Sequence, residues 1–130
     1  MIKRSNQKLL QQHGTRVKAW VEDIVSKDSI VDLNQLVASI DNGHHELYFC
    51  YTEQERLIGI VTIVQIGDVM HLDGAAGDVL GEWGILDKSF VELCKQKNCT
   101  SYEFRGRKGF LKVFKKFGMK EKYTVMSRTI

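Results

Sequence analysis

The sequence predicts an α/β (α+β) fold: a mixed, mostly antiparallel sheet flanked by helices, in the order ααβββαβαβ. Three observations carry it. Residues 14–43 hold apolar side chains at helical spacing. Residues 45–77 change to aromatic and β-branched runs separated by short turns. From residue 80 onward helical and extended patterns alternate, as they do when crossovers join strands of one sheet. The chain has 130 residues and no proline, so nothing marks a linker. Residues 1–14 read as a polar N-terminal segment that has no fixed place, and 15–130 as one domain.

Element by element, "GTRVKAWVEDIVSKD" is a helix with Thr15 as its cap and Val17, Trp20/Val21 and Ile24 as its stripe. "DSIVDLNQLVASIDNG" is a second helix. Ser29 or Asp28 caps it, Ile30, Leu33, Leu36/Val37 and Ile40 face inward, and Asn42-Gly43 ends it. "HELYFCYTE" (45–53) is a strand and "QER" a turn. "LIGIVTIVQI" (57–66) is apolar nearly throughout, so it is buried on both faces. Gly67-Asp68 turns the chain into a third strand, "VMHLDGAAG" (69–77). The helix "LGEWGILDKSFVELCKQKN" turns Trp83, Leu86, Phe90 and Leu93/Cys94 inward. "CTSYEFRG" is a fourth strand, "RKGFLKVFKKFG" a helix stopped by Gly118, and "YTVMSRTI" the last strand.

The totals exclude several classes of function. No apolar run approaches the roughly 20 residues that cross a bilayer, so no membrane partner is expected. The basic start has no apolar stretch behind it and does not read as a signal peptide. Cys50, Cys94 and Cys99 form neither a disulfide framework nor a zinc site, and no metal is expected. Net charge is only +3, but residues 105–122 hold Arg105, Arg107, Lys108, Lys112, Lys115, Lys116, Lys120 and Lys122 against Glu121 alone. Such a face suits coenzyme A phosphates or an acidic protein partner. Phe110, Phe114 and Phe117 share one helical face while the lysines lie largely off it. The aromatics therefore belong to the core, and specific nucleic-acid binding is not expected.

The order of elements, with "HLDGAAGDVLGEW", "LCKQKNCTSYEFRGRKGFLKVFKKFGMK" and "KYTVMSRTI", resembles the GNAT superfamily of N-acyltransferases over residues 28–130. The "KQKNC" before a strand, the "GR-x-G-F" and the "F-G-M" corner are similar to small GNAT-like proteins encoded by tailed bacteriophages. The resemblance implies a GNAT-like fold and acetyl-CoA as cofactor. It implies Gly74, Ala75, Ala76, Gly77 and Gly81, with Arg105 and Arg107, as the cofactor-binding residues. Independently, a glycine-rich turn and a helix N-terminus offer backbone N–H donors to a diphosphate. On that reading Gly77→Val removes binding and leaves the fold intact. Two departures count against ordinary chemistry. "GAAGDVLG" replaces the usual Arg/Gln-x-x-Gly-x-Gly/Ala loop and puts Asp78 where an anion would approach. Phenylalanines alone stand in the helix where a tyrosine would protonate the leaving thiolate.

For chemistry, His71 and Asp73 alternate to one face of a strand, so either is a candidate base, or simply a polar strand end. Tyr123 is a candidate acid outside the family's motif. Neighbouring His44 and His45 point opposite ways on an extended chain and read as a surface loop; Glu46, Glu53 and Glu55 read as solvated turn residues or contacts to an amine. Two functions follow. One is a phage accessory or virion-associated protein on a GNAT-like fold, in the bacterial host's cytoplasm or the virion, with phage virion proteins as partners. The alternative is an acetyl-CoA-dependent N-acyltransferase acting on a small amine or a protein amino group.

Overall fold

The computed structural model describes residues 1–28, 32–104, 116, 118–120 and 128. In chain order the elements are β1 (Ile2–Arg4), α1 (Gln7–Asp28), α2 (Leu33–Asp41), β2 (Glu46–Tyr51), β3 (Leu57–Ile66), β4 (Val69–Gly77), a 3-10 turn (Leu80–Glu82), α3 (Trp83–Gln96) and β5 (Ser101–Phe104). The expected helix over "RKGFLKVFKKFG" and the last strand lie outside the described residues.

The strands form one sheet in the order β1-β2-β3-β4-β5. The first three pairings are antiparallel and β4–β5 is parallel, so the sheet is mixed, as the element order predicts. The parallel pair is reached through α3, the crossover that parallel strands require. Central β3 is buried from Leu57 to Val64, in keeping with its apolar run.

The N-terminal segment is built into this sheet. Ile2–Arg4 pair with Cys50–Tyr48, and α1 starts at Gln7, well before Thr15. Asn6 supplies the cap, accepting the Leu9 N–H on its Oδ1 at 2.9 Å. The cap of α2 is Asp32, not Ser29 or Asp28. Asp32 Oδ1 accepts from the Gln35 N–H and Gln35 Oε1 accepts from the Asp32 N–H, a reciprocal capping box. Asn42 and Gly43, the latter at φ +82°, end the helix as expected. Val37, expected in the stripe, is 44% exposed, so α2 is anchored by Leu36 instead.

Two cores lie on opposite faces of the sheet. On one, α3 packs Trp83, Leu86, Phe90 and Leu93 against Tyr48, Cys50, Val61, Ile63, Met70 and Leu72. On the other, α1 and α2 pack Val17, Val21, Ile24 and Leu36 against Leu47, Phe49, Ile60 and Ala76. Alternation assigns Leu47–Tyr51 of β2 and Ile60–Ile63 of β3 to their faces. The register shift at Cys50/Tyr51 breaks it in β3, so Leu57 faces α1/α2 and Ile58 faces α3.

Candidate functional site

β4 does not alternate simply. Ile63 pairs with Leu72 and Thr62 with Gly74, so Asp73 is an extra residue with no counterpart on β3. This is a β-bulge, and it changes which residues face which core. Met70 and Leu72 belong to the α3 core, whereas Ala76 belongs to the α1/α2 core. A Cβ on Gly74 would lie 2.6 Å from Ile24 Cγ2 of α1, so Gly74 also faces that side. Even-numbered residues therefore point to opposite faces on the two sides of Asp73.

The bulge places Asp73 against a buried histidine. Asp73 Oδ2 lies 2.7 Å from His45 Nε2, and His45 Nδ1 lies 2.5 Å from Ser39 Oγ of α2. His45 is 8% exposed, while the Asp73 side chain keeps 34% of its surface. A second polar pair lies one strand over: His71 Nδ1 is 3.5 Å from Glu103 Oε2, its register partner on β5. Opposite Met70 and Leu72 in the alternation, His71 faces the α1/α2 side. His71 and Asp73 thus share a side as alternation predicts, and the bulge then turns Gly74 to that same side.

His45 is the residue that sequence reasoning misplaced. It is no surface-loop residue; only His44 is exposed. The two residues sit in a bend, not on an extended chain, and their rings meet edge-on with centroids 5.5 Å apart. Glu46 is likewise neither turn residue nor amine contact. Lys97 Nζ donates to its Oε1 at 2.7 Å, Arg4 Nη1 lies 3.6 Å away, and the Tyr48 hydroxyl donates to it at 3.2 Å. Glu53 and Glu55 are exposed in the β2–β3 turn, as expected.

The predicted cofactor residues separate into three groups. Gly74, Ala75, Ala76 and Gly77 are strand residues of β4, paired with Thr62, Val61, Ile60 and Gly59. They are not a turn, which corrects that expectation: α1 packs across Gly74, and only small side chains fit there. Gly77 has φ +86°, and a Cβ there would meet Ile58 O at 2.3 Å. Its glycine is required by the approach to β3, so Gly77→Val strains the fold and does not isolate binding. Gly81 lies in the 3-10 turn, where a Cβ would be 3.2 Å from Asp78 Oδ1. The Asp78 N–H donates to Ile58 O at 2.8 Å, so one loop donor is already used. Neither the 3-10 turn nor α3 receives a side-chain cap. Arg105, Arg107 and Tyr123 lie outside the described residues.

On the α3 side, the Tyr102 hydroxyl donates to the Asp87 carboxylate, and burial together with that acceptor raises the phenol further above its ordinary range. Burial, helped by Glu46, pushes Tyr48 up to about 12, and burial pushes the Cys50 thiol up to about 12 as well. These groups stay neutral near pH 7. Among the described residues no group of three His, Cys, Asp or Glu could hold a metal ion, and no helix is long and apolar enough to cross a membrane.

With the sheet and bulge defined, the likeness to solved structures can be stated. The chain is similar to a putative acetyl transferase from Pyrococcus furiosus, with 16% identity, 100% of this chain and 99% of that chain covered, and a TM-score of 0.69. It is similar to a predicted acetyltransferase from Clostridium acetobutylicum, whose structure holds acetyl-CoA, with 13% identity, 99% and 95% covered, and a TM-score of 0.60. It is also similar to an aminoglycoside 6'-N-acetyltransferase from Acinetobacter baumannii, with 16% identity, 100% and 98% covered, and a TM-score of 0.62. The described residues have the fold of these acetyltransferases, the GNAT fold. No protein-family model matches the sequence, and no curated protein matches it at a significant level.

Proposed function

We propose that the chain is an acyl-CoA-dependent N-acyltransferase in which Asp73 is the general base. The observation that carries this reading is the bulge at Asp73. It sets a partly exposed carboxylate in the strand between the two cores, just where the described β4–β5 pairing, Val69–Leu72 with Ser101–Phe104, ends. A base must lie within hydrogen-bond reach of the proton it removes, and an exposed carboxylate oxygen on a rigid strand satisfies that. Asp73 takes the proton of the acceptor's ammonium group and leaves the amine lone pair free to attack an acyl carbon. A bulge also frees backbone polar groups from the ladder, and an N–H there is suited to polarising a carbonyl. Acetyl-CoA, when bound, would supply the acyl group as a thioester, its C–S bond breaking as the amide forms and coenzyme A leaving as the free thiol with a proton taken from solvent. The acceptor is a cationic amine: Asp73 and Glu103 give this side of the sheet its negative charge, with His71 between the strands.

The described residues fit the acyl end of acetyl-CoA better than its diphosphate. Asp78 sits beside Gly81 and opposes an anion. The positive charge for the diphosphate is assigned to Arg105 and Arg107, which directly follow β5 in the chain. Calorimetric titration with acetyl-CoA tests the binding step, and release of free thiol in the presence of primary amines tests transfer. Acetyl-CoA at about 100 times its dissociation constant adds roughly 2.7 kcal/mol of stability. No heat, no thermal shift and no thiol release at millimolar acetyl-CoA would overturn the reading.

Asp78, which opposes an anion, favours loss of turnover; the second reading that would go with it is a phage accessory or virion-associated protein that keeps the fold. It expects co-purification with phage particles and no acetyl transfer by either wild type or Asp78→Asn. Transfer restored by Asp78→Asn would instead mark that carboxylate as the sole obstacle.

A further inference from the structure

We propose that His45 is a positioning residue for Asp73, and that its protonation sets the acid limb of the activity. This rests on the acyltransferase reading of the same site. His45 immediately precedes β2, 28 residues from Asp73, and is buried to 8% exposure. Both its ring nitrogens have a side-chain partner: Nε2 lies 2.7 Å from Asp73 Oδ2 and Nδ1 lies 2.5 Å from Ser39 Oγ. One arrangement of protons satisfies all three groups while the imidazole is neutral. The Ser39 hydroxyl donates to Nδ1, and Nε2–H donates to the Asp73 carboxylate. Ser39 is itself tied to this loop, because its carbonyl accepts the His45 N–H at 3.1 Å. The ring is therefore held from α2 at one end and holds the carboxylate at the other.

This geometry has two consequences. First, Asp73 is the extra residue of a bulge, lacking a partner on β3 to fix its orientation. The Nε2–H engages one carboxylate oxygen and leaves the other for the acceptor, which is the pre-organisation a base requires. Second, the ring is the direct partner of the carboxylate, so a proton on it changes what Asp73 faces. A proton on Nδ1 turns the ring into an imidazolium beside Asp73, and Ser39 Oγ then accepts from it. A carboxylate paired with a cation is a weaker base, so turnover falls as pH drops through that protonation. Among the described residues, the groups facing the His45 ring are Ser39 from α2, Asp73 from β4 and the neighbouring His44 ring, 5.5 Å away between centroids. His71 and Glu103 form the adjoining pair on β4 and β5. Glu46 is engaged by Lys97 and Arg4.

The test uses the full chain and two independent readouts. Imidazole ¹⁵N spectra recorded against pH, with no substrate present, should show His45 as the Nε2–H tautomer. Asp73→Asn should displace the His45 Nε2 resonance, because the acceptor it donates to has changed. An unchanged Nε2 resonance overturns the pairing. In the second arm, acetyl transfer to a primary amine is followed from pH 5 to 9. His45→Ala should lower kcat by about 10²-fold with KM for acetyl-CoA unchanged. His45→Gln keeps a donor for Asp73 but cannot titrate. It should recover most of kcat at alkaline pH and displace the acid limb to lower pH. An acid limb identical in His45→Gln and wild type overturns the inference even where transfer itself is robust. Absence of transfer in the wild type overturns the functional reading, and the catalytic role of His45 with it. The ¹⁵N titration still decides whether the Asp73–His45 pair exists.

Discussion

The two faces of the sheet are built on different principles. On the α3 face, Trp83 stacks on Phe90 with ring centroids 5.4 Å apart and meets Phe104 edge-on at 5.7 Å, and polar atoms such as the Tyr102 hydroxyl are tied off by one partner. On the α1/α2 face, an apolar core around Phe49 and Ile60 gives way, toward Asp73, to the chain Ser39–His45–Asp73. Both faces belong to the same strands. What separates them is one residue: the bulge at Asp73 turns Gly74 and Ala76 toward α1 and leaves a carboxylate partly exposed between the cores. One face is packed with stacked aromatics and the other carries a polar chain, so substitutions on the two should have separable effects.

The largest effect expected is on the α3 face. Trp83→Ala removes a side chain that is 1% exposed and should cost about 3–5 kcal/mol of unfolding free energy by denaturant titration. A loss under 1 kcal/mol would break the comparison. Across the sheet, Asp73→Asn should lower acetyl transfer by about 10²–10⁴-fold while the denaturation midpoint barely moves. Equal activity in Asp73→Asn and wild type would remove Asp73 as base. Between the faces, Gly77→Val should destabilise by roughly 2–5 kcal/mol, because a left-handed backbone and a clash with Ile58 O act together. Its acetyl-CoA affinity is meaningful only once folding has been verified by circular dichroism.

Two smaller effects sharpen the picture. The Cys50 and Cys94 thiols are raised from 9.0 to about 12 and about 11, chiefly by burial on the α3 face. A raised value means that the fold favours the neutral thiol. Its contribution is complete below pH 9 and is lost as pH climbs through the folded-state values. Stability should therefore fall between pH 9 and 12, with each group adding a slope of up to about 1.4 kcal/mol per pH unit. Cys50→Ala should flatten that slope; an unchanged slope would show that Cys50 does not titrate there. Smallest, Asp32→Ala should cost about 1 kcal/mol through the lost α2 cap. Because α2 carries Ser39, any change of acid limb in that variant would reveal strain passed to His45.

Much of the fold was legible in local pattern. The run 57–66 and the stretch 69–77 matched β3 and β4 to the residue, and the Trp83–Cys94 stripe matched the buried face of α3. The start of the chain was not legible, since the partners of β1 are distant in the chain: Tyr48–Cys50 beside it, the α3 core under Ile2 and Glu46 at Arg4. The burial of β4 alternates without a break from Val69 to Ala76, so the bulge leaves no trace in the pattern from which strands are read. "GAAG" looked like a ligand turn because small residues permit close approach; the approaching groups prove to be Ile24 and the backbone of β3.

The sequence by itself determined the helices, the central strands and the mixed sheet, because periodicity and turn chemistry are local and each element declares its own buried face. It also put His71 and Asp73 forward as candidates. Only the tertiary structure decided what Asp73 touches. Its partner His45 lies 28 residues away across the sheet, brought there by α2 and by a register shift that no neighbouring residue dictates. Hydrogen bonds between distant side chains depend on register and crossing, and those are set by how the two cores pack.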